Sequence, residues 1–141
     1  MSAVTGPGAS WRLIGRSGRG ALVTIRRDGR PQLSAVDYLA DAAAQQIRVS
    51  STADRAKVHN LRRDPRLSLY VSDGGSYVVA EGIATLSEVA SDPGDAAVAE
   101  LIEVYRDIAG EHPDWDDYRR AMVADRRLVI RLHVNRLYGM G

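Results

Sequence analysis

The stretch SSTADRAKVHNLRRDPR, residues 50–66, concentrates the groups best suited to hold an anion. Ser50, Ser51 and Thr52 offer hydroxyl donors, Arg55 a two-pronged guanidinium and Lys57 a mobile ammonium. The stretch reads as the end of a strand running into a helix, where the first backbone N–H groups are unpaired and the helix dipole is positive. A phosphate placed there meets donors from both backbone and side chains. Cations beside the positive end of a helix are unfavourable on their own, so their presence calls for a bound or neighbouring anion, part of which Asp54 can supply. The same residues also fit a solvated helix with an ordinary cap, and spacing alone leaves both readings open.

Other chemistries find less support. Arg62, Arg63 and Arg66 form a second basic run that a nucleic-acid backbone can use, but cations are expected near a helix C-terminus, Asp64 offsets them, and no aromatic is interleaved to stack bases. Nucleic acid is therefore not the expected partner. The chain has no cysteine, which removes disulfides, iron–sulfur clusters, thiolate zinc sites and thiol nucleophiles together. His59, His112 and His133 lie far apart without metal-ligand spacing, so no metal site is expected. No Gly-x-Ser-x-Gly elbow occurs, and GRSGRG at 15–20 lacks the Lys-Ser/Thr of a phosphate loop. Asp114, Asp116 and Asp117 fall where helix caps belong. Tyr38, Tyr70 and Tyr77 lie on expected strands, where lining a pocket and simple packing are both open readings.

The elements that must position the 50–66 stretch follow from local pattern. ALVTI at 21–25, Asp28-Gly29 and PQLSAVDYL at 31–39 make a hairpin, since Asp-Gly tolerates the backbone angles of a tight turn. Asp41–Gln46 is a turn, and IRVSS at 47–51 is a third strand with Ile47 and Val49 on one face. Ser51, followed three residues later by Asp54, predicts a helix over 52–63, stopped by Asp64-Pro65. LSLYVS at 67–72 and SYVVAEGIATLSEV at 76–89 form a second hairpin through Asp73-Gly74-Gly75, with Leu67, Leu69 and Val71 sharing a face. Asp92-Pro93 opens the longest helix, along which Val98, Leu101, Ile102, Tyr105 and Ile108 keep helical spacing until Gly110. Asp114 caps another, with Trp115, Tyr118 and Met122 on one side. The closing segment alternates, Leu128, Ile130, Leu132 and Val134 against Val129, Arg131, His133 and Asn135, as a half-buried strand requires.

These elements predict a mainly β, α+β fold: a six-stranded antiparallel barrel decorated by about three helices, occupying residues 20–141 as one domain after a loose arm over 1–19 with at most one helical turn. At 141 residues, 45% hydrophobic and 26% charged, the chain has the composition of an ordinary globular domain. Its net charge of +1 does not favour polyanion binding through global electrostatics. No apolar run reaches the length of a signal peptide core or a membrane span, so a soluble cytoplasmic protein is expected.

Three blocks carry a family likeness: GALVTIRRDGRPQLSAVDY from Gly20, VSSTADRAKVHNLRRDPRLSLYV from Val49 and YVVAEGIATL from Tyr77, extended by LIEVYRDIAGEHPDWDDYRRAMVADRR. Over residues 20–138 the chain resembles the pyridoxamine-phosphate-oxidase-like split β-barrels, specifically their F420-dependent oxidoreductase branch. The resemblance implies a homodimer with two cofactor sites at the subunit interface and coenzyme F420 as cofactor, with FMN as the alternative. It implies that Ser50, Arg55, Ala56 and Lys57 hold the cofactor phosphate region with Asn60 close by. Leu33, Ser34, Ala35 and Val36 would then lie along the deazaflavin ring, with Tyr77 contributed by the partner subunit. The implied activity is hydride transfer from F420H2 to an unsaturated or conjugated small-molecule acceptor. Tyr77 or water is a candidate proton donor. An FMN-dependent oxidase of pyridoxamine-type substrates and a non-catalytic F420 carrier are the alternatives. The chain departs from the family pattern at the turn near Gly75, which lacks a tryptophan and is shorter, and in its N-terminal arm.

Overall fold

A computed structural model describes residues 6–140. The elements run α1 (Gly6–Ser17), β1 (Arg19–Ile25), β2 (Pro31–Asp37), β3 (Leu39–Asp41), β4 (Gln46–Thr52), α2 (Ala56–Arg63), β5 (Arg66–Asp73), β6 (Ser76–Leu86), α3 (Ala96–Ala109), α4 (Trp115–Ala124) and β7 (Arg127–Met140). All strand pairs are antiparallel, in the order β2-β1-β5-β6-β7-β4-β3. The two edge strands, β2 and β3, are consecutive in sequence with only Tyr38 between them. The sheet must therefore curl until its edges meet, and the chain itself rather than a hydrogen-bonded ladder spans the seam.

The curled sheet has seven strands and four helices where the sequence pattern predicts six and three. The extra strand arises because the 31–39 run breaks at Tyr38, which turns inward to 3% exposure while Leu39 leaves β1 and pairs with Arg48 of β4. The extra helix is α1. Its glycines and the scarcity of apolar residues give little local signal, yet Trp11, Leu13 and Ile14 are buried in the barrel cluster. The Tyr38 hydroxyl donates to the Ile14 carbonyl, and burial pushes this phenol up to about 12 despite hydrogen bonds that pull the other way. Tertiary burial supplies what helix propensity does not.

The barrel interior takes alternate residues from each strand, including Leu67, Leu69 and Val71 of β5 and Leu128, Ile130 and Leu132 of β7. A second apolar cluster lies outside, where α3 and α4 cover Val129 on the opposite face of β7. Alternation in β7 is therefore interrupted at its start, because both faces are buried there. Glu100 of α3 fastens this layer: Arg131 forks onto it at 2.6 and 2.9 Å, with Arg48 at 3.5 Å. Gly82 marks a β-bulge in which Glu81 pairs with Arg136 and Gly82 with Val134, skipping Asn135. A Cβ at Gly82 would lie 1.8 Å from the His133 carbonyl oxygen, so only glycine fits.

Helix starts are the other corrections. Ser51 does not cap α2; it is a buried member of β4 opposite Leu128, and the helix opens at Ala56 after a turn, with Arg55 at the cap position making no side-chain cap bond. Pairing with β7 through Thr52 outcompetes an earlier helix start. Asp95 rather than Asp92 caps α3, accepting from Val98 N–H at 2.9 Å, while Asp92 turns to Gly94. Asp114 caps α4 as the spacing predicts. No helix among the described residues is long and apolar enough to cross a membrane.

Candidate functional site

A cleft of about 510 Å³ opens between β2, β4, the start of α2, and the α3–α4 layer. Even-numbered residues of β4 point out of the barrel toward α3, so Ser50 faces the cleft and Ser51 faces inward, while Val49 packs in the barrel cluster and borders the cleft. α2 starts immediately after β4, which places Lys57 in its first turn beside Ser50. The register Thr52 to Arg127 then brings the first residue of β7 to the same corner. Arg127 Nη2 donates to Ser50 Oγ at 2.7 Å, and Arg127 Nε is buried without a hydrogen-bond partner among the described residues.

This corner is cationic and unneutralised. No carboxylate among the described residues forms an ion pair with Lys57 or Arg127. Burial pulls the Lys57 ammonium below its ordinary range, and the charges of Arg55 and Arg127 pull it further in the same direction. Two like charges gathered in a half-buried corner, with an orphaned guanidinium nitrogen, fit a ligand carrying a phosphate or comparable anion. The rest of the lining is apolar or aromatic: Val36 from β2, Val104, Tyr105 and Ile108 from α3, and Tyr118 and Met122 from α4. At the mouth Arg19 and Asp37 pair at 2.9 Å. A molecule with an anionic group at one end and a flat apolar body suits this shape.

Of the residues singled out from sequence, Ser50, Lys57, Ala35 and Val36 meet in this cleft. Arg55 and Ala56 line a separate, shallow depression with Thr52, Asp54 and Asp125. Leu33 and Ser34 line a third with Tyr70 and Ser72, which shares Ala35 and Arg19 with the main cleft. Asn60 is buried and committed: its Nδ2 donates to Gln32 Oε1 at 2.7 Å and Thr24 Oγ1 at 3.1 Å, and its Oδ1 accepts from Arg63. It ties α2 to the first hairpin. Tyr77 lies on the outer face of the sheet, stacked on Tyr70 with ring centroids 5.6 Å apart, away from the cleft of its own chain. Arg127 and the α3 wall escaped sequence reasoning. Nothing local distinguishes Arg127 from its neighbour Arg126; only the β4–β7 register selects it.

A family model described as pyridoxamine 5'-phosphate oxidase matches residues 11–141. Among solved structures, the fold is similar to a conserved hypothetical protein from Mycobacterium tuberculosis, at TM-score 0.76 and 25% identity over 99% of this chain and 86% of that one. It is similar to an F420 reductase at TM-score 0.66 and 24% identity, covering 89% of this chain and 93% of that one. A pyridoxamine 5'-phosphate oxidase-related, FMN-binding protein from Nostoc punctiforme matches at TM-score 0.63 and 13% identity over 92% of this chain and 81% of that one.

Proposed function

The chain belongs to the pyridoxamine 5'-phosphate oxidase family, and from that premise we propose that it is an F420H2-dependent reductase of unsaturated or conjugated small molecules. The observation that carries the reading is the unneutralised Lys57–Arg127 corner at one end of an apolar cleft. Lys57, Arg127 and the Ser50 hydroxyl would hold the cofactor phosphate, with Arg55 and Ala56 at the adjoining helix start. Leu33 to Val36 of β2 would lie along the deazaflavin ring. When bound, the deazaflavin supplies hydride to the acceptor. The chain's own part is to fix the phosphate, keep one ring face against β2, and exclude water with the Val104, Ile108 and Met122 wall, so that donor and acceptor carbons stay in a reactive geometry.

A homodimer completes the reading. Register places Ala35, Ala21, Tyr70, Val79 and Tyr138 in one row across five strands, flanked by Leu33 on one side and Tyr77 and Met140 on the other. Leu33 is 62% exposed, Tyr70 and Tyr138 42% each, and Met140 37%. An exposed apolar row of this extent, running into the cleft through Ala35, favours coverage by a second copy. That copy would present its Tyr77 to the site. Leu33→Lys is expected to shift the species seen by light scattering from dimer to monomer and to weaken cofactor binding with it.

The test is a side-by-side titration with F420 and FMN, following fluorescence quenching. Preference for F420, followed by oxidation of F420H2 when acceptors are added, supports the reading. Preference for FMN reassigns the cofactor, and tight F420 binding with no turnover makes the protein a carrier.

A further inference from the structure

Lys57 is the one lysine among 141 residues; histidines aside, every other basic residue is arginine. The two types differ in what they can do to a bound anion. A guanidinium keeps its proton in proteins, so arginine holds a phosphate but does not attack it or its neighbours. A lysine amine that has shed its proton is a nucleophile. Phosphate binding alone is served as well or better by the two-pronged group. The cationic corner therefore contains the chain's one side-chain primary amine at the place suited to an incoming phosphate.

The surroundings of that amine suit attack. Lys57 shares the cleft of about 510 Å³ with Ser50 and Arg127. Arg127 is pinned by its Nη2 on Ser50 Oγ at 2.7 Å, and its buried Nε has no partner among the described residues. No carboxylate among the described residues pairs with Lys57, so no anion of the chain's own holds the proton on its amine. Burial favours the neutral amine, and the charges of Arg55 and Arg127 add to it. A partly desolvated amine beside other cations is an activated nucleophile. Arg127 thus does two things at once: it offers a donor to a phosphate and helps to free the neighbouring amine of its proton.

We propose that Lys57 is an acylation site whose donor is an acyl phosphate, with the donor's phosphate lodged against Arg127 and Ser50 and its carbonyl carbon against the Lys57 amine. The nitrogen lone pair attacks the carbonyl carbon and a C–N bond forms. The bond from that carbon to the phosphate oxygen breaks, and inorganic phosphate leaves with the electron pair and takes up the proton released by the amine. Nothing is oxidised or reduced. The product is an uncharged amide, so the corner loses one of its two cations and the space in which a ligand phosphate would sit. The acylation requires only the phosphate corner; its consequence, that the acylated protein loses F420, rests on the reductase reading above.

The test compares acetyl phosphate with acetic anhydride, which carries no phosphate and reports the bare reactivity of the amine. Peptide mass spectrometry follows acetylation of Lys57 in the full chain, relative to the N-terminal amine. The Lys57 to N-terminus ratio is expected to be about tenfold or more higher with acetyl phosphate than with the anhydride, the scale of a charge-assisted hydrogen bond to the donor. That preference should fall to about one in Arg127→Ala, and in wild type when pyrophosphate fills the corner. Both reagents meet the same amine, so a change in its proton affinity cancels in the comparison, and the pyrophosphate arm does not depend on how the variant folds. Equal ratios for the two reagents in wild type, or a preference that pyrophosphate leaves unchanged, overturn the proposal. Protein acetylated at Lys57 is expected to bind F420 at least tenfold more weakly than protein treated under pyrophosphate protection and then freed of it. Unchanged affinity overturns that consequence. Failure of untreated protein to bind F420 overturns the reductase reading, while the labelling ratios still decide the acylation.

Discussion

Replacing Arg127 by alanine isolates the residue that sequence reasoning did not find. Its guanidinium holds Ser50 Oγ at 2.7 Å through one nitrogen and leaves Nε buried with no partner among the described residues. A phosphate in the corner gains at least one charge-assisted hydrogen bond from it, worth about 1.5–3 kcal/mol. The Coulomb term sets the ceiling, at about 4 kcal/mol for unit charges 4 Å apart in a medium of effective dielectric 20, and the open cleft keeps the net value below that. One relaxation works the other way. Lys57 loses one of the like charges that depress it, so its ammonium becomes slightly easier to keep. The expected outcome is a rise in the F420 dissociation constant of about 10- to 100-fold, read by fluorescence titration. The rise should survive high salt better than an exposed pair would, because a half-buried corner is screened less. Arg55→Ala provides the comparison: Arg55 is exposed and lines a different depression, so its loss is expected to cost about threefold or less. Wild-type affinity in Arg127→Ala, or a larger loss in Arg55→Ala, would refute the geometry argued here.

Three further outcomes are expected. Ile14→Ala removes a fully buried side chain from the barrel cluster and should lower the unfolding free energy by about 2–4 kcal/mol in a urea titration, whereas a dispensable arm would give no change. Gly82→Ala forces a Cβ to within 1.8 Å of the His133 carbonyl oxygen and should cost about 3 kcal/mol or more, while Gly75→Ala, with nothing within 4 Å, should stay within about 0.5 kcal/mol of wild type; equal melting curves would contradict the bulge. Burial pushes the Glu100 carboxyl up, but the hydrogen bonds and charges of Arg131 and Arg48 outweigh it and hold it below its ordinary value of 4.5. A carboxyl depressed in the folded state adds stability above its unfolded value, and that stability is lost as pH falls through the folded one. Urea midpoints should therefore drop as pH falls below about 4.5, and Glu100→Gln should flatten that acid limb; an unchanged slope would show that the clamp of α3 on β4 and β7 is not coupled to folding.

The hairpins show what was legible locally. Asp28-Gly29 and Asp73-Gly74 turn where expected, with positive φ at both glycines, because a turn's demand on backbone angles falls on residues adjacent in sequence. The inward faces of β4 and β5 follow the same logic, since side-chain alternation is a property of one strand. The start of α2 failed for the converse reason: the cap expected from Ser51 competes with a ladder to β7, and a partner about 77 residues away is invisible to local spacing. Residues 31–39 read locally as one strand because no residue type announces the point at which a strand changes partners across a seam.

The candidate site divides along the same line. By itself the sequence determined that Ser50 and Lys57 lie together at a strand-to-helix junction, because both belong to one short segment whose geometry is set by its own backbone. Tertiary structure alone decided that Arg127 joins them, that Asn60 is spent on Thr24 and Gln32, and that Arg55 faces elsewhere. Each of those outcomes depends on which segments the curled sheet and its helical layer bring together. Contacts between distant segments are selected by the free energy of the whole packed core, which no window of sequence contains.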